Sequence, residues 1–169
     1  MNLLLTLLLT LTTQLFGDGL LEVDWPTLTQ QYQKQQKSYP LVLKSAVKEI
    51  TLPVYLPRSY LQDKSLFLVS DANFYTATIM LEGAILTITG DRTYQQTLKT
   101  NNSVLKKRLE KKEVTFNHAE GIMTSDFNRH NVNYSLAIEC EDPTKDKRCT
   151  QENFLKKIYH ELVLIGGKR

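Results

Sequence analysis

Apolar and polar positions alternate most regularly in the middle of the chain. FYTATIML and AILTITGD flank Glu82-Gly83. Alternation on both sides of a two-residue corner predicts a β-hairpin, with Gly83 supplying the positive φ that such corners need. That corner sets a register. It puts Leu81 opposite Ala84, Ile79 opposite Leu86 and Ala77 opposite Ile88, all on one apolar face. Thr78 then meets Thr87 and Thr76 meets Thr89 on the other face. A one-residue slip would mix the two sets, so the pattern selects the register.

The same reasoning applies further along. VTFNHA and IMTSDFN flank a second corner, Glu120-Gly121, and VNYSLAIEC returns after a turn at His130-Asn131. The predicted pairs are Val114 with Phe127, Phe116 with Ser125 and His118 with Met123. On the return strand they are Phe127 with Tyr134, Ser125 with Leu136 and Met123 with Ile138. One face of this meander is apolar. The opposite face collects Asn117, Asp126, Asn128 and Asn133 together with Thr115, Thr124, Ser135 and Glu139. That is the signature of an antiparallel sheet buried on one side.

Elsewhere the period lengthens. Phe154, Ile158, Leu162 and Ile165 recur at helical spacing, widened by Leu155 and Tyr159. Thr150 stands in N-cap position and Gly166-Gly167 is a stop, so one C-terminal helix is expected. Trp25, Leu28 and Tyr32 share a helical face after Asp24 and Pro26, and the Gln-rich remainder reads equally well as a solvated linker. NNSVLKKRLEKKE reads as a short helix with Val104, Leu105 and Leu109 inward. Its Lys106, Lys107, Arg108, Lys111 and Lys112 form the one dense basic cluster, interleaved with Glu110 and Glu113. In ITLPVYLP, Ile50, Leu52, Val54 and Leu56 alternate with Thr51, Pro53, Tyr55 and Pro57. Prolines confine such a strand to an edge. The fold class expected is α+β: an antiparallel sheet of hairpins and meander, with helices, the C-terminal one included, on one face.

The first residues obey neither period. MNLLLTLLLTLTTQLF is apolar or Thr/Gln throughout and carries no charge. It falls short of the ~20 residues a membrane-crossing helix needs and matches the core of an export signal. Residues 1–19 are therefore expected to be a cleaved signal peptide, and 20–169 a single domain. An uncleaved N-terminal anchor is the rival reading. No Lys or Arg precedes the apolar core, and Gly17 and Gly19 stand in place of an A-x-A site. Export places the protein in the periplasm or outside the cell. Cys140 and Cys149, the chain's two cysteines, are then most simply a disulfide. A loop that short gains roughly 2–3 kcal/mol in the chain-entropy model.

Composition adds exclusions. With 41% hydrophobic and 23% charged residues, the 169-residue chain resembles an average globular domain and holds enough apolar material for one core. A net charge of +3 is too weak to argue for nucleic acid. Phosphate-binding glycine loops, G-x-S-x-G and H-E-x-x-H are all absent from the sequence. His118, Glu120, Asp126 and His130 are the one constellation with metal-binding or proton-transfer chemistry. The register separates them, because His118 falls on the apolar phase and Asp126 on the polar one. No catalytic residue, metal or cofactor is therefore assigned. The polar face of Asn117, Asp126, Asn128 and Asn133 is the better binding candidate, for a small polar ligand or a partner protein. The function expected is a non-enzymatic exported binding or interaction module. A small hydrolase or metal-dependent enzyme using His118 with Asp126 is one alternative. An envelope assembly subunit held by its uncleaved leader is another, and there the leader is the only membrane contact.

Overall fold

A computed structural model of the chain describes residues 18–27, 37–95 and 114–169. Its largest element is a six-stranded antiparallel sheet. The strands are β3 (Leu66–Asp71), β4 (Phe74–Leu81), β5 (Ala84–Asp91), β7 (Thr115–Ala119), β8 (Ile122–Arg129) and β9 (Val132–Cys140), in the order β3-β4-β5-β9-β8-β7. Both hairpins form in the expected register. Leu81 pairs with Ala84, Ile79 with Leu86 and Ala77 with Ile88, while Thr78 meets Thr87 and Thr76 meets Thr89. Phe116 pairs with Ser125 and His118 with Met123. Phe127 pairs with Tyr134, Ser125 with Leu136 and Met123 with Ile138. The β7–β8 ladder starts at Thr115, so the Val114–Phe127 pair lies one step beyond it. Positive φ falls at Gly83, at Glu120 and Gly121, and at His130 and Asn131, which are the three corners.

Pairing of β5 with β9 joins the two hairpin units into one sheet, with Leu86 opposite Ile138 and Ile88 opposite Leu136. The inner face is the core: Ile79, Leu86, Ile88, Leu136 and Ile138 are wholly buried. Gly90 sits between Tyr75 and Tyr134 in adjacent strands. A Cβ on Gly90 would lie 2.5 Å from Cε1 of Tyr75 and 2.9 Å from Cε1 of Tyr134. The missing side chain is what lets both rings lean inward. Each hydroxyl then fastens the backbone of β2 (Val54–Pro57) and the residue before it. Tyr75 Oη donates to the Tyr55 carbonyl at 2.9 Å and accepts from the Tyr55 amide at 3.0 Å. Tyr134 Oη donates to the Pro53 carbonyl at 2.6 Å. Burial pushes both phenol pKa values upward, so they stay neutral donors.

The C-terminal segment departs from the expected single helix. A short helix (α2, Lys147–Thr150) comes first, capped by Asp146, whose carboxylate accepts from the Arg148 amide. Thr150, expected to cap the following helix, instead ends this one, and Glu152 holds the N-cap position of the next. Helix α3 (Asn153–Glu161) follows and buries Leu155 and Ile158. It stops at Glu161, and β10 (Leu162–Gly166) continues as a strand paired with β2. Leu162 and Ile165 are buried as expected, but from extended chain. Four consecutive apolar residues, two of them β-branched, suit a strand; a helix would turn part of that run to solvent. β2 also differs from expectation. All four of its residues are buried, not alternate ones, because it touches β5 on one side and α3 on the other. α3 packs on β2, β8 and β9, so this helix and the β2–β10 ribbon cover the inner face.

The Cys140–Cys149 disulfide forms, with a Cα–Cα distance of 6.2 Å. It ties the end of β9 to α2, and through α2 to α3. The bridged loop also rests on both Glu-Gly corners. Glu141 N donates to the Gly83 carbonyl at 3.0 Å, and Arg148 Nη2 donates to the Glu82 carbonyl at 2.9 Å. Pro143 lies so close to Gly121 that a Cβ there would be 2.8 Å from the ring. The staple therefore organises a whole end of the molecule.

A second ribbon pairs β1 (Asp18–Leu20) with β6 (Thr93–Gln95). Asp18 and Gly19 of this ribbon belong to the stretch expected to be a leader; the rest of that leader lies outside the described residues. No helix begins at Asp24, whose amide donates instead to the His130 carbonyl at 3.0 Å. Leu28 and Tyr32, and residues 101–113 where a basic helix is expected, also lie outside the described residues. A six-residue helix α1 (Leu41–Ala46), not expected from the sequence, packs on β10. Among the described residues no helix is long and apolar enough to cross a membrane.

Candidate functional site

The face of the sheet opposite the core is uncovered by any described element, and its composition changes along its width. At the β3–β4 side it is apolar: Phe67 is 61% exposed, Val69 66% and Met80 51%. Thr76, Thr78, Thr87 and Thr89 fill the middle as two directly opposed pairs. At the β7–β8 side it is amide and carboxylate. Strand alternation imposes this arrangement, because each outward residue is the neighbour in sequence of an inward core residue.

The structure brings the four expected ligand-binding residues to that one face, and all four are exposed. Asn128 stands opposite Asn133, and its Nδ2 donates to Asn133 Oδ1 at 3.3 Å. Asp126 is next on β8, between Thr115 and Ser135. Asn117 is a step further, opposite Thr124. These groups form a flat polar strip, with Asp91 beside Asn133 extending it onto β5.

His118 and Asp126 are not brought together. His118 is on the inward phase of β7 opposite Met123, and Asp126 is on the outward phase of β8. Because β7 is an edge strand, His118 is exposed there and not tucked at the core's rim as the phase alone suggests. His130 lies at the far corner, where its Nε2 is 2.9 Å from Tyr55 Oη and its ring stacks on that of Tyr55. Burial lowers the His130 pKa, with the neighbouring Arg129 charge adding to the effect. The Arg129 guanidinium lies 4.8 Å from the Tyr55 ring centre, 5.3 Å from Tyr159 and 5.4 Å from Phe127. This group clamps the β8–β9 corner to β2 and α3. Among the described residues there is no group of three or more His, Cys, Asp or Glu that could hold a metal.

Sequence reasoning missed two features. Phe67 and Val69 escaped because LFLV is apolar on both phases, so alternation does not separate inward from outward residues. The turn Asp71-Ala72-Asn73 was the available signal, since it fixes Leu68 opposite Ala77 and thus Phe67 on the Thr face. The other is a surface notch of about 360 Å3 lined by Arg58, Ser59, His160 and Glu161. Its Ser59 hydroxyl donates directly to the Glu161 carboxylate, 102 residues away in sequence. Nucleophilic activation of serine places histidine between hydroxyl and carboxylate. Here the direct bond joins the turn after β2 to the end of α3, which is a fastening.

Comparison with known protein-family models, curated proteins and solved structures returns no match.

Proposed function

We propose that this is an exported, non-enzymatic interaction module that receives a protein partner along β3 and the adjoining outer face. The leader and the disulfide support export to the periplasm or the cell exterior. The observation that carries the reading is the edge strand. β3 holds no proline and its one charge, Asp71, stands at its turn end, while Phe67 and Val69 are exposed beside an edge that, among the described strands, only β4 pairs. Natural edge strands ordinarily carry such blocking residues. An extended partner segment can add its backbone hydrogen bonds there and rest side chains on the apolar end of the face. The strip of Asp126, Asn128 and Asn133 would then supply polar contacts at the far side, to the same partner or to a small polar ligand.

The test is site-specific photo-crosslinking in the native compartment. A photoreactive residue at Phe67 should give one discrete adduct. One at Lys157, whose side chain is 70% exposed on α3, should not. Val69→Lys should abolish the Phe67 adduct while leaving the fold intact. Equal adducts at both positions, or none at Phe67, contradict the proposal. Turnover of a substrate that Asp126→Ala abolishes would replace it with an enzyme. Mass analysis of the exported N-terminus separates a free module from a subunit anchored by its leader.

A further inference from the structure

We propose that α1 and the notch beside it dock the domain onto a bilayer surface bearing anionic phospholipid headgroups. This does not rest on the reading of the sheet face. Leu41 is 77% exposed and Val42 80%, the most exposed large hydrophobic side chains among the described residues. They sit side by side on a six-residue helix whose only buried residue is Leu43. Next to them lies a notch of about 340 Å3 lined by Lys37, Lys44 and Lys48, with Val47 and Ile165 as apolar walls. Gly166 brings the backbone of β10 against Val47, the residue that caps α1: a Cβ there would be 2.7 Å from Val47 Cγ2. Among the described residues no carboxylate lines the notch, and nearby Glu49 is engaged by Lys168 at 3.0 Å.

Positive charge around a small apolar prominence matches a membrane surface. Phospholipid phosphates meet the lysines while Leu41 and Val42 enter the boundary between headgroups and acyl chains. Two side chains are too little area for a stable protein–protein interface. They suffice for an interfacial contact that works together with charge.

The test uses the full chain, with the leader present in every sample. An environment-sensitive fluorophore is attached at Leu41→Cys, the single free thiol because the native cysteines are paired. Vesicles of phosphatidylcholine alone are compared with vesicles that also contain phosphatidylglycerol. Emission should shift to the blue only with phosphatidylglycerol, and salt should reverse the shift. Each replacement among K37Q, K44Q and K48Q should weaken the response about fivefold. An equal shift with neutral vesicles overturns the proposal, because the leader alone would then account for contact. So does no shift, or blue emission before vesicles are added, which would mean that the protein itself already covers α1. A shift produced by inorganic phosphate without vesicles also contradicts it.

Discussion

The two faces of the six-stranded sheet share their strands and their backbone ladder, yet they follow different rules. The central inner row runs Ile79, Leu86, Ile138 and Met123, none more than 3% exposed. The row one residue away on the outer face runs Thr78, Thr87, Ala137 and Thr124. Burial fixes the inner row, because every methylene there is removed from water and packed. The fold requires of the outer row only that it suit a strand. The outer face is therefore less constrained by packing, and among the described residues no element covers its apolar end at β3.

Mutations on the two faces should differ most in stability. Leu136→Ala, at a wholly buried inner position, should cost about 2–5 kcal/mol in chemical denaturation. Thr87→Ala, from the outer face of the neighbouring strand, should stay within about 0.5 kcal/mol. Equal losses would erase the distinction. Opening the staple with the paired change Cys140→Ser and Cys149→Ser should cost roughly 2–3 kcal/mol. Thermal melts should also show the corner end of the sheet loosening, since the bridged loop rests on Gly83 and Gly121.

Gly90→Ala sharpens the comparison at a single residue. The added methyl collides with Tyr75 and Tyr134, so about 1–3 kcal/mol should be lost through overpacking and loosened fastening of β2. The smallest effect concerns pH. The fold holds His130 below its usual pKa, so the unfolded chain takes up this proton at a higher pH than the folded one. The contribution of neutral His130 is full above the ordinary histidine range, near 6.5, and declines as pH falls through it towards the lowered folded value. His130→Gln should flatten the stability profile in that window. Loss at still lower pH should remain, because the Asp146 carboxyl is held below its usual value by Arg148. Its contribution is present above the carboxylate range and disappears as pH drops through it.

Local pattern made the hairpins legible. Glu82-Gly83 and Glu120-Gly121 lie between alternating runs, so corner and register could be read within some twenty residues. The polar strip of Asn117, Asp126, Asn128 and Asn133 followed from the same alternation. β10 was not legible, because Leu162 and Ile165 satisfy a helical period as well as a strand, and only distant pairing with β2 decides between them. The roles of Gly90, Tyr75 and Tyr134 depend on β2 lying across the sheet, a tertiary fact. The open edge at β3 was hidden for the opposite reason: a continuous apolar run shows no preferred face.

Two methionines report on the faces directly. Met80 is on the outer face and 51% exposed; Met123 is on the inner face and 3% exposed. Brief hydroxyl-radical labelling of the folded chain, read by peptide mass, should oxidise Met80 rapidly and spare Met123 until denaturant is added. Equal labelling of the two, or faster labelling of Met123, would contradict the assignment of one face to the core and the other to solvent.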